Sequence, residues 1–191
     1  RFGYYWKSYD FKPENQSPQS NLINFPLGPV FPGNPHPQLA FRHDGGELIF
    51  RLPNGLQGYV LVKAGGQRID EAPQDVVEDK QGRFSGSSLI VNGISCMGCH
   101  TDGMINPKPD DVLQGTRLRG QPLSLLRRLH PGDDVVRQSV DQDRAEFRQA
   151  TLRVFRTIAA PDTVLQVKTP DGDEGALLEP ISKVAANYPN A

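Results

Sequence analysis

Two cysteines and a histidine, Cys96, Cys99 and His100 in "SCMGCH", are the residues whose types and spacing bring chemistry together, and they use the only two cysteines of a 191-residue chain. A thioredoxin-like dithiol needs a strand that delivers the pair to a helix N-terminus inside a βαβ frame. "SSLIVNGIS" serves as the strand, but "HTDGMINPKP" is a poor helix, and a dithiol leaves His100 without a task. A structural zinc site needs four ligands. Cys96 and Cys99 supply two, His100 is too close in sequence to reach the same tetrahedral centre, and His36, His43 and His130 stand at spacings of no common zinc module. Attachment of a haem uses all three residues: thioethers from cysteines one helical turn apart, and a histidine carried beneath the ring as an axial ligand. The expectation is one covalent haem c and its iron, with Cys96 and Cys99 as attachment points and His100 on the metal.

The opposite axial position decides between an electron carrier and a site open to small ligands. Met97 lies inside the attachment loop and is excluded. Met104 is four residues beyond His100, so the chain would have to double back around the ring edge. His43, in "FRHDGGE", is far enough away to cross to the other face, and Gly45-Gly46 allows a close backbone approach. It is the leading second metal ligand, beside the alternatives of Met104, His130 or an open position. His130, before Pro131-Gly132, reads as a helix C-terminal residue, and His36 as an exposed loop residue. Asp44 and Glu47 are expected to orient His43 or to reach a haem propionate through water. Arg42, Arg51, Arg68, Arg117 and Arg119 are better propionate anchors.

The elements that must position these groups change character along the chain. "RFGYYWKSYDF" is an aromatic docking segment, and Asn24 to Gln38 is a Pro/Gly-rich ordered loop with Phe25, Leu27, Val30 and Phe31 to pack with. Gly45 to Asp70 has short apolar stretches broken at Asn54-Gly55 and Gly65-Gly66, the pattern of a small antiparallel meander. The second half turns helical. A short helix is expected from Pro109 to Leu113, another from Gln121 to His130, and a long one with its apolar stripe from Val136 to Ile158, interrupted at Arg144. "KTPDGDEG" reads as a turn and "LEPISKVAANYP" as a last short helix. The fold class is α+β: a helical, cytochrome c-like haem lobe, a small antiparallel β-meander, and long Pro/Gly-rich loops. Residues 1–90 form the aromatic segment and meander packing over the haem, and residues 91–191 the helical haem-binding lobe.

Composition narrows the partners. Against 22 Asp plus Glu stand 21 Lys plus Arg, a formal net charge of -1, which gives no electrostatic reason to expect nucleic acid or an anionic membrane. No apolar run approaches the ~20 residues of a membrane-spanning helix. Haem attachment implies assembly in a periplasmic or extracellular setting, and the opening at Arg1 reads as an excised or processed piece of a longer secreted chain. The partner would be a redox protein or another domain of the same chain.

Several blocks resemble a known group. "YWKSYDF", "PLGP", Phe41 and His43 with Gly45 to Glu47, "LPNGLQGY", Arg68 to Pro73 and "NGISCMGCH" occur in that order. In this the chain resembles the monohaem cytochrome c type domains of large secreted proteins of planctomycete-like bacteria, over about half its length. The resemblance implies a c-type haem and export, but little about role, and the part after His100 matches loosely. The leading function is therefore a c-type cytochrome module carrying single electrons through one covalent haem, with bis-histidine ligation as its leading form. The alternative is a haem redox enzyme or small-ligand sensor with an open distal site, acting on peroxide, nitric oxide or similar.

Overall fold

The computed structural model describes residues 4–12, 20–74, 77–78, 87–107 and 111–158. Its architecture is α+β, with a four-stranded antiparallel sheet in the order β1-β2-β3-β4, a two-stranded sheet and four helices. The meander expected from Gly45 to Asp70 is present as β2 (Gly45–Arg51), β3 (Gln57–Lys63) and β4 (Arg68–Ile69). Asn54-Gly55 makes the first turn, where the Asn54 side chain accepts from the Leu56 amide at 3.0 Å and Gly55 takes φ +89°. Gly65-Gly66 makes the second, closed by the Lys63 amide on the Gln67 carbonyl.

The aromatic docking segment supplies the edge strand β1 (Tyr5–Lys7), which pairs with β2 through Trp6 opposite Ile49. Directly opposed residues share a face. Trp6, Ile49 and Tyr59 therefore form one cross-strand row, and Glu47 and Leu61 lie in the next row of that face. β1 and β2 can approach this closely because residue 46 is glycine: a Cβ there would run into the Ser8 carbonyl.

The Pro-rich loop is ordered, as its apolar content predicts, but only part of that content does the packing. Leu27 is buried with Val112 and Leu126 in one core cluster, while Val30 and Phe31 are exposed. Asn34 holds the loop's shape by donating from its side-chain amide to the Leu27 and Pro29 carbonyls.

β5 (Glu71–Ala72) pairs with β6 (Ile90–Val91), and β6 runs straight into α1 (Ile94–Cys99). α2 spans Val112–Gly115 with Asp111 as its N-cap, and the start expected at Pro109 lies outside the described residues. α3 (Gly120–Leu129) ends at His130 before Pro131, and α4 spans Asp133–Ile158. Val140, Asp143, Phe147, Ala150 and Thr151 form the buried stripe of α4. Arg144 interrupts that stripe for a reason the sequence hides: its guanidinium donates to the Met104 carbonyl and clamps the loop after His100. The turn and helix expected after Pro161 lie outside the described residues. No described helix is long and apolar enough to cross a membrane.

Candidate functional site

Three anchors hold the cysteine motif. The Asn92 side chain accepts from the Leu61 amide at 2.9 Å and its own amide donates to the Asp70 carbonyl, which fixes the start of α1 against the meander. The buried Ser95 hydroxyl accepts from the Val91 amide at 2.9 Å. Gly93, at φ +84°, makes the turn between strand and helix. The single helical turn that follows spaces Cys96 and Cys99 on α1, with no disulfide between them. Cys96 is buried beside Leu61 and Ala72, and Cys99 is exposed. Burial is the first cause that pushes the Cys96 thiol well above the ordinary range, and the charge of Glu47 with a hydrogen bond to it adds to the shift.

His100 follows as the C-cap of α1, only 9% exposed. Its Nδ1 lies 3.2 Å from the Gly103 carbonyl. That carbonyl can only accept, so Nδ1 is the donor in this contact and Nε2 is the ring nitrogen left for other partners. This is the usual arrangement around a metal-ligating imidazole. Gly103 takes φ +88° and packs beneath α4, where an added Cβ would lie 3.3 Å from Phe147 and 3.4 Å from Arg144. The turn that aims His100 is thus wedged against the fully buried Phe147.

His100 opens on a cavity of about 1000 Å³ whose walls include Trp6, Tyr9, Phe11, Ile49, Met104 and Val140. Small-molecule sites run to roughly 300–1,000 Å³ and are mostly apolar with few placed polar groups. A space at the top of that range, walled by aromatics and bordered by the His100 imidazole, fits a macrocycle. Two acids line it, Asp10 and Glu47, and Glu47 Oε2 is 3.6 Å from His100 Nε2. Tyr59 leans on the same imidazole, ring centroids 6.0 Å apart.

The spacing Cys96-x-x-Cys99-His100, on a helical turn beside such a cavity, is consistent with a covalently attached haem c and its iron in a cytochrome-type module. The donor set fits: Cys96 and Cys99 would attach the ring, and His100 Nε2 would take the iron. Comparison with protein-family models, with curated proteins and with solved structures finds no match to this chain.

The other candidate residues lie at different depths. His43 packs edge-on against Tyr9 at 5.0 Å and Phe41 at 6.0 Å, one aromatic layer behind the cavity wall. Its Nε2 is buried without a hydrogen-bond partner. Burial first, then the charge of Lys7, lowers its pKa and keeps the ring neutral. The Asp44 carboxylate, expected to orient His43, accepts from the Lys12 amide at 2.9 Å. Glu47, expected to serve His43, faces His100 instead, because in β2 its side chain points to the face against which α1 docks. Met104 lines the cavity despite its short distance from His100 in sequence, since the Gly103 turn doubles the chain back. His130 Nε2 is 3.4 Å from the Pro26 carbonyl, and His36 heads the short 3-10 turn at Pro37. Arg51 is committed to Glu146, and Arg68 pairs with Asp70 at 2.6 Å.

Sequence reading passed over Asn92, Ser95, Gly103 and Arg144 as positioning residues. Gly103 had a signal, a glycine three residues past the motif histidine. The other three act through contacts made only after folding.

Proposed function

We propose that the chain is a c-type cytochrome module that carries single electrons through one covalently attached haem, exported to the periplasm or beyond. The observation that carries this reading is His100: Nδ1 tied to the Gly103 carbonyl, Nε2 facing a large aromatic cavity, and both cysteines on the preceding helical turn. Haem iron bound there would supply reversible one-electron chemistry. The chain's own residues fix the imidazole, keep the ring in an apolar surround and limit water. Ile94 and Ile105 are exposed beside the motif and the cavity mouth, an apolar lip suited to docking a redox protein or another domain of the same polypeptide. Denaturing extraction followed by intact mass tests attachment: a mass equal to that of the bare polypeptide ends the proposal.

In the finer form of this proposal, His43 supplies a second imidazole. Its support is a neutral ring whose buried Nε2 has no partner, next to the cavity wall. Reaching the iron requires the Tyr9 ring to turn aside. A His43→Ala variant should keep haem attached, move the iron from low toward high spin and let carbon monoxide bind the reduced form. A low-spin spectrum unchanged by the substitution removes His43 from the metal.

One observation favours a second reading, a haem enzyme or sensor for peroxide, nitric oxide or a similar small ligand. Glu47 Oε2 stands 3.6 Å from His100 Nε2 in the same cavity, a carboxylate available there as acid or base. Carbon monoxide binding by the unaltered reduced protein would favour this reading over bis-histidine electron carriage.

A further inference from the structure

A buried acid remains that neither axial chemistry nor haem attachment uses. Asp143, on the inner face of α4, is 5% exposed, and its Oδ2 accepts from the side-chain amide of Gln57, itself 9% exposed, at 2.8 Å. The Gln57 carbonyl oxygen in turn accepts from the Tyr59 hydroxyl at 3.2 Å. Tyr59 is the ring that leans on His100. Hydrogen bonds therefore run from the Tyr59 hydroxyl through Gln57 to a buried carboxyl, each donor pointing toward that carboxyl, and the Tyr59 ring packs beside the His100 imidazole.

We propose that Asp143 is a proton-binding site linked to the electron on the haem: one electron arrives at the haem as one proton arrives at the Asp143 carboxylate, and both leave together on reoxidation. The inference rests on the haem reading above and adds proton coupling to it. The electron comes from the redox partner and the proton from solvent, so charge balances without a further reactant. A carboxamide transmits polarisation and does not hand on protons readily. The proton's route is instead a second cavity of about 330 Å³, lined by Tyr4, Tyr5, Ser139, Gln142 and Glu146, onto which Asp143 opens.

The groups that face Asp143 set the direction of coupling. From β3 come Gln57 and Tyr59, both neutral. From α4 comes Glu146, whose negative charge is partly offset by its ion pair with Arg51 of β2. From β1 and the residue before it come the phenols of Tyr5 and Tyr4 across the second cavity. Arg144, next in sequence, turns away to the Met104 carbonyl, so no cation pairs with Asp143 among these neighbours. Burial first, then Glu146, pushes the Asp143 carboxyl up to about 6. An added electron on the haem side makes its proton harder to lose.

The test is the midpoint potential of the haem-loaded protein as a function of pH. It should be level below the oxidised-state pKa, then fall as pH rises through neutrality, with a limit of 59 mV for each tenfold change in proton activity for one electron. Asp143→Asn should flatten that segment and leave the visible spectrum unchanged. Infrared difference spectra of the unaltered protein should show a protonated carboxyl band gained on reduction, which stands even if the variant folds poorly. A level potential through neutrality in haem-loaded protein, or a slope that Asp143→Asn keeps, overturns this inference and spares the haem reading. A chain recovered without haem overturns both.

Discussion

Gly103→Ala tests whether the turn after His100 is what aims the imidazole. The backbone there has φ +88°, and a residue with a Cβ in that conformation costs about 1–2 kcal/mol. The new methyl would also lie 3.3 Å from Cβ and Cδ1 of Phe147 and 3.4 Å from the Arg144 backbone. Phe147 is fully buried and has no free side on which to yield, so overpacking adds about 1–3 kcal/mol. Together these remove about 2–5 kcal/mol, a large share of the ~5–15 kcal/mol that holds a typical domain. Gly132→Ala is the matched control, because φ there is +95° but nothing lies within 4 Å of the added Cβ. It should cost only the backbone part, about 1–2 kcal/mol. Urea unfolding followed by circular dichroism gives both values, and the absorption spectrum reports whether His100 still holds the iron. The reasoning fails if Gly103→Ala costs no more than Gly132→Ala and leaves the haem spectrum unaltered.

Arg144→Ala should cost about 1.5–3 kcal/mol, the range for hydrogen bonds to a charged group, because it releases the Met104 carbonyl from a half-buried guanidinium. Arg148→Ala, which breaks only the more exposed ion pair to Asp102, should cost under ~1 kcal/mol by the same unfolding measurement. Stability should also carry the sign of the Asp143 shift. A carboxyl raised from 3.8 to about 6 binds its proton more tightly in the folded state, so its contribution is fully present below 3.8 and is lost as pH rises through about 6. After allowance for solvent reaching it through the second cavity, the loss is on the order of 2 kcal/mol. Unfolding of the unaltered protein and of Asp143→Asn at pH 4 and 7.5 should show their stability difference shift in favour of the variant by that amount; no shift, or one of opposite sign, refutes it.

The chemistry of the motif was legible because it is local. Cys96, Cys99 and His100 are contiguous in sequence, and a single helical turn is enough to arrange them. The meander was legible for the same reason, since Asn54-Gly55 and Gly65-Gly66 specify their turns from within four residues. Glu47 shows where that kind of reading stops. In sequence it is four residues from His43 and fifty-three from His100, so nearness along the chain assigns it to the wrong histidine. Strand geometry reverses the assignment, because β2 alternates its side chains between faces and Asn92 docks α1 against the face that carries Glu47. Arg144 is the helical counterpart, a charge inside an apolar stripe whose partner is a backbone carbonyl forty residues away. Both are polar groups at positions where the local pattern asks for apolar ones or for a surface. Burying such a group without a partner costs free energy, so each one that persists marks a contact the chain must make elsewhere. In this fold those contacts converge on a single place, the underside and the open side of the His100 imidazole.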